Sequence, residues 1–222
     1  MALIRELIKK GNNSNRIERI YYTCDNKHAA KYWKTIADQY IHDVKIEPTI
    51  KKAWNNIILW TFGNPNCEID ITKGLGLIGR TGSGKTMTFY ILNDFIEIDK
   101  IRYKKGEDLV NLKYRIQSAL VIASEYAREG DIVIHKYSNF ANLCIDDLGA
   151  ENSLKSYFGN KVNVIQEILE NRYNNNLMTH FSSNLKMEDI SDRYGDRVFS
   201  RLHDTCNIIE INDCDFRVIN SK

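Results

Sequence analysis

Apolar residues recur at helical spacing three times in the first third of the chain. Leu3, Ile4, Leu7 and Ile8 share one face over 3–10, until Gly11, Asn12, Asn13 and Ser14 break the pattern. Ala29, Trp33, Ile36, Ala37, Tyr40 and Ile41 make a second stripe over 28–42, and Ile50, Ala53, Trp54, Ile57, Ile58 and Phe62 a third over 50–62. GNPN (63–66) reads as a turn. The pattern then changes. LGLIG (75–79) is a short apolar run entering a glycine-rich loop, with a helical pattern from 86 to 97. IRYKKGEDLVNLKYRI (101–116) reads as a hairpin folded about KKGED. Residues 119–128 predict a helix closed by Gly130, and NLCIDDLG (142–149) a buried strand ending in acids. VNVIQEILENRYNNN (162–176) predicts a helix that stops in asparagines. MTHFSSNL (178–185) predicts a strand with polar residues at its end, RVFSRL a helix, and CNIIEI (206–211) a last strand. Strands alternating with helices imply an α/β fold, a parallel sheet covered on both faces.

Length and composition narrow the class. The 222 residues suffice for one good-sized domain with its own core and a small extension. The net charge of +2 is too mild to identify a nucleic-acid binder by itself. Five cysteines, at 24, 67, 144, 206 and 214, form no C-x-x-C pair, so neither a zinc site nor a disulfide framework is indicated. No apolar run is long enough to span a bilayer, and MALIRELIKKGNN lacks the apolar core of a signal peptide. The expectation is a soluble protein of a reducing compartment.

GRTGSGKT (79–86) fits G-x-x-x-x-G-K-[ST] with a strand before it and a helix after it. Gly79, Gly82 and Gly84 allow backbone angles and close approach that side chains forbid. With Arg80, Thr81 and Ser83 between them, they form a loop whose N–H groups turn toward anionic oxygens. The following helix adds the positive end of its dipole. Lys85 is placed to reach the β- and γ-phosphates of ATP, or the terminal phosphate of ADP, and Thr86 to offer its hydroxyl to Mg²⁺.

The strand NLCIDDLG supplies the other half of such a site. It delivers Asp146 to its C-terminal end as a Mg²⁺ partner, direct or through water. Asp147 is the candidate group that orients or deprotonates an attacking water. Its side chain is one methylene shorter than the Glu many ATPases use there, so slow or partner-dependent hydrolysis is expected. Glu151 is a further acid, past Gly149, expected either near the site or facing solvent.

Taken in order, GLIGRTGSGKT, LCIDDLGAE, SSNL and RYGDRVFSRL resemble the DnaC-type helicase loaders and the related IstB-type transposition helpers, both AAA+ ATPases. The likeness covers about residues 74–217. It implies a P-loop (AAA+ ASCE) three-layer sandwich over 61–222, preceded by a helical segment over 1–60 for partner binding or packing, with no C-terminal lid domain. By this resemblance Asn184 matches sensor 1, contacting the γ-phosphate or the lytic water; its other reading is an ordinary strand-end Asn. Arg201 matches the arginine finger that enters a neighbour's ATP site. Arg197, on the same helix face, either supports it, pairs with an acid such as Asp196, or meets solvent. Arg217 aligns with a sensor-2-like arginine. The resemblance further implies a homo-oligomer when ATP is bound, a replicative helicase as partner, single-stranded DNA nearby, and the cytoplasm of a bacterial or phage-infected cell.

Three other readings compete. A transposition helper uses the same ATPase with a transposase and duplex DNA. A small-molecule kinase shares the phosphate loop but needs an arginine-rich lid that the sequence does not display. A nucleotide switch without turnover would not need Asp147. In the first third, the 3–10 stripe either fills a partner groove or packs on its own core. RIYYTCDNKHAAKYWK (19–34) interleaves aromatics and bases as single-strand stacking platforms do, yet Trp33 and Tyr40 also lie on the apolar stripe.

Overall fold

Five parallel strands form the central sheet of the computed structural model, which describes residues 18–20, 26–40, 48–64, 66–105, 107–151, 155–157 and 160–211. The helix expected over 3–10, Tyr21, Tyr22 and Arg217 lie outside the described residues. In chain order the elements are β1 (Glu18–Ile20), α1 (Asn26–Tyr40), α2 (Pro48–Thr61), β2 (Gly74–Ile78), α3 (Lys85–Asp99), β3 (Arg102–Lys105), β4 (Asp108–Asn111), β5 (Arg115–Ser118), α4 (Ala119–Glu129), α5 (Asp131–Ser138) and β6 (Asn142–Asp146). They continue with β7 (Lys155–Tyr157), β8 (Asn160–Val162), α6 (Val164–Asn174), β9 (Met178–Ser183), α7 (Met187–Tyr194), α8 (Asp196–Thr205) and β10 (Cys206–Glu210).

The main sheet runs β10-β2-β9-β6-β5. Strand β2 lies between β9 and β10, but the chain leaves it for the far edge at β5. The loop after β2 therefore sits where strand order reverses, the crevice in which open α/β sheets bind ligands. All of β2, β6 and β9 is buried, as expected of strands covered on both faces.

The pleat divides these strands between two layers. Leu75, Leu77 and Cys144 join a core with Trp33, Trp54, Trp60, Phe89 and Phe95, so α1, α2 and α3 cover one face. Ile78, Leu143, Ile145 and Phe181 join Ile122, Tyr137, Ile165 and Leu202 on the other, under α4, α5, α6 and α8. Trp33 is buried and packs on Trp54 and Phe95, with ring centroids at 5.7 and 5.5 Å. Gly76 is a packing requirement: a Cβ there would stand 2.5 Å from the Phe181 ring of β9.

Arg172 of α6 is fully buried and clamps this second layer. It donates to Thr179 Oγ1 (2.9 Å) and to the carbonyls of Tyr137 (3.0 Å), Phe140 (2.7 Å) and Met178 (2.6 Å). Burial lowers its pKa to about 10.

Several elements depart from the sequence reading. The 101–116 stretch is not one hairpin. Its hairpin is β3–β4, which extends a separate antiparallel sheet with β1, while 115–118 forms the edge strand of the main sheet. Buried Leu112 and Tyr114 turn the chain inward between the two, and the Tyr114 hydroxyl donates to Phe89 O at 2.6 Å. Helix α6 starts at Val164 behind the Asn163 cap, which accepts from Gln166 N, because 160–162 pair with β7. Helices α5 and α7 have no counterpart in the apolar pattern of the sequence.

Candidate nucleotide-binding site

Strand β2 ends at Ile78, and the loop 79–84 carries the chain into α3 at Lys85. Gly82 and Gly84 hold φ of 84° and 87°, a left-handed conformation that glycine adopts without steric cost. Gly84 thereby caps α3 and offers no side chain to the first helical N–H groups. Gly79 N–H donates to Ser183 O (3.1 Å), which ties the loop to the end of β9. Arg80 and Thr81 are exposed at the tip, while Ser83 is buried.

The Lys85 ammonium is buried inside this loop. It donates to Gly79 O, Arg80 O and Asn184 Oδ1, each at 2.8 Å, and lies 3.5 Å from Ser83 Oγ. Residue 184 is thus brought to the phosphate-loop lysine from 99 positions away. Thr86 donates to Asp146 Oδ1 at 2.8 Å, which joins the start of α3 to the end of β6. This hydroxyl–carboxylate pair is a hard-oxygen donor set and fits Mg²⁺.

Behind the acids stands the first serine of SSNL, whose role the sequence does not indicate. Buried Ser182 donates to Asp146 Oδ1 at 2.5 Å and accepts from Asp147 N–H at 2.9 Å. It fixes the Asp146 carboxyl and the backbone of Asp147, whose φ is 52°. Ser183 donates to Leu148 O at 2.6 Å and accepts from Leu185 N–H at 3.1 Å. The serines of SSNL therefore hold the acidic turn against β9.

Glu151 does not face solvent. It is 3% exposed, accepts from Gly149 N–H at 3.1 Å and from the Tyr194 hydroxyl, and lies 3.5 Å from Arg193 Nε. Arg193 also donates to the Glu151 carbonyl. Burial, and then the neighbouring Glu151 carboxylate, push the Tyr194 phenol well above the usual tyrosine range. Glu151 braces the acidic turn on α7 through Arg193 and Tyr194, 42 and 43 positions away.

Arg201 does not join the group around Lys85. It lies on α8 against α6, with Nη1 3.4 Å from Glu170 Oε2 and its guanidinium carbon 4.7 Å from the centre of the Tyr173 ring. Arg197 meets Glu170, at 3.7 Å, and not Asp196. Asp196 instead accepts from Ser191 Oγ at 2.8 Å, since it opens α8 and faces back toward α7.

Neither a protein-family model nor a curated protein matches the sequence. Solved structures match the fold. A DnaC helicase loader superposes with a TM-score of 0.58 at 19% identity, covering 82% of this chain and 98% of the loader. DnaI gives 0.54 at 23% identity, over 79% of this chain and 88% of its own. An AMPPCP-bound DnaA from Aquifex aeolicus gives 0.52 at 16% identity, over 80% of this chain and 52% of the DnaA chain. The parallel sheet, the phosphate loop at its point of reversal and these superpositions together assign the chain a P-loop α/β fold of the kind seen in the DnaC and DnaI helicase loaders.

Proposed function

We propose that this chain binds and hydrolyses ATP and uses the cycle to load or remodel a replicative helicase at single-stranded DNA. The observation that carries the reading is the meeting, at the C-terminal ends of β2, β6 and β9, of two adjacent residues with two distant ones: Lys85 on Asn184, and Thr86 on Asp146. The loop amides and the N-terminus of α3 supply a dipolar cradle for a triphosphate. Lys85 is the cation that follows charge onto the β- and γ-phosphates when it exchanges the loop carbonyls for phosphate oxygens. Thr86 and Asp146 would hold Mg²⁺, which supplies neutralising charge on the phosphate oxygens. Asp147 takes up the proton of the attacking water, and Asn184 orients that water or the γ-phosphate.

Arg201 completes the site in trans. It is held away from its own nucleotide site, on a helix of the opposite layer, and an arginine supplied across an interface stabilises transition-state charge. Turnover is therefore a property of an ATP-bound homo-oligomer, and a replicative helicase and single-stranded DNA are its expected stimulators. The likeness in fold to helicase loaders supports this choice of partner. No helix among the described residues is long and apolar enough to cross a membrane.

The test is ATP binding and turnover by the wild type, Lys85→Ala and Asp147→Asn, with and without single-stranded DNA and a replicative helicase. Lys85→Ala should lose ATP binding. Asp147→Asn should bind ATP and turn it over about a hundredfold more slowly, the smaller end of a general-base contribution. ATP binding by Lys85→Ala at wild-type affinity, or stimulation by a small phosphate acceptor and by neither partner, would refute the proposal.

A further inference from the structure

Two arginines of α8 converge on a single carboxylate of their own chain. Glu170 Oε2 lies 3.4 Å from Arg201 Nη1 and 3.7 Å from Arg197 Nη1. The two are unequally held. The Arg197 side chain is 68% exposed, that of Arg201 only 15%. The Arg201 guanidinium also covers the Tyr173 ring, and its Nη2 stands 3.4 Å from Asn174 Oδ1, at the long limit of a hydrogen bond. Nη1 is buried, yet finds no hydrogen-bond partner among the described residues. Charge and stacking are thus met while the donor fork is only partly satisfied. A guanidinium fork binds bidentate oxygens best, and a phosphate presents more of them, with more charge, than one carboxylate at this distance.

We propose that Glu170 is a positioning residue that parks Arg201 on its own protomer and yields it to a neighbour's nucleotide phosphate when protomers assemble. The inference rests on the reading of Arg201 as the trans-acting cation. Tyr173 is anchored independently, its hydroxyl donating to Asp204 Oδ2 at 3.2 Å, so the platform stays when the arginine leaves. In a lone protomer the arginine is withheld, and assembly must first break its contact with Glu170. Removing the carboxylate charge therefore favours assembly without touching the nucleotide pocket.

The test is ATP-dependent self-association by sedimentation velocity, in an Asp147→Asn background that retains ATP. Glu170→Gln should lower the midpoint protein concentration about fivefold, the factor that corresponds to a partly exposed ion pair. Glu170→Asp keeps the charge and should shift it less. The Glu170→Gln shift should vanish when Arg201→Ala is added. With Asp147 restored, turnover per assembled protomer should be unchanged by Glu170→Gln, and the unfolding temperature of each Glu170 variant should fall by no more than about 2–4 °C from that of its parent.

An unchanged or raised midpoint overturns the role of Glu170. So does a shift that persists with Arg201→Ala, or one that Glu170→Asp reproduces in full. If Arg201→Ala nonetheless abolishes turnover, the trans reading of Arg201 survives that failure. Full turnover by Arg201→Ala overturns both.

Discussion

Replacing Ser182 by Ala removes a side chain that touches both acids of the candidate site. Its hydroxyl donates to Asp146 Oδ1 at 2.5 Å and accepts from Asp147 N–H at 2.9 Å, in a fully buried position. A hydrogen bond to a charged acceptor contributes about 1.5–3 kcal/mol, and a buried N–H left unpaired costs about 1–3 kcal/mol. Thr86 still donates to the same carboxylate oxygen, so the lower part of each range applies and the total is about 3 kcal/mol. At this chain length that corresponds to a fall of about 6–12 °C in Tm. Ser183→Ala is the control. It also loses two bonds, to Leu148 O and from Leu185 N–H, but both partners are neutral, and about 1–2 kcal/mol is expected. Urea unfolding of the three proteins gives the energies, and ATP titration gives the functional consequence, a weaker affinity in Ser182→Ala. A Ser182→Ala loss below about 1 kcal/mol, or smaller than that of Ser183→Ala, would refute the bracing role.

Further outcomes follow from the same geometry. Arg172→Met leaves the carbonyls of Tyr137, Phe140 and Met178 without their donor and should cost roughly 3–5 kcal/mol by urea unfolding. The Tyr194 phenol has its folded-state pKa raised above the ordinary value of 10.0, so its contribution to stability is complete below that pH. The contribution is lost as pH rises through the folded value, and Tyr194→Phe should flatten the alkaline limb of unfolding free energy against pH. Burial pushes the Cys144 thiol up and the Cys206 thiol to about 12, so among the described cysteines only half-buried Cys67 should be alkylated in the native protein, as mass mapping would show.

The parts legible in the sequence are those whose chemistry is local. The glycines of 79–84, the lysine that follows and the buried run ending at Asp146 announce themselves within a few residues, and in the structure Lys85 meets Gly79 O and Thr86 meets Asp146. Asn184 was reachable through the resemblance of SSNL to a known motif, and its contact with Lys85 is long-range. Glu151 stood out as a further acid, but its brace on α7 was not legible, and neither were the roles of Ser182 and Glu170, because each acts on a partner 27 or more positions away. Helix α7 was missed because only Met187, Ile190 and Tyr194 of MEDISDRY are buried, too few to stand out as a stripe. The hairpin reading runs too long because strand-like residues flank KKGED on both sides as far as 116, with only buried Leu112 and Tyr114 to mark the change of sheet.

The central claim is that a triphosphate held by one protomer is cleaved with Arg201 of the next. On this proposal Arg201→Ala keeps its own pocket and donates no arginine, whereas Asp147→Asn keeps the arginine and activates water about a hundredfold less well. Each variant alone should be nearly inactive, and mixing them with ATP should restore turnover at the pockets of the first that face the arginines of the second. If the mixture hydrolyses no more ATP than the sum of its parts, or if Arg201→Ala alone matches the wild type, the shared site does not exist.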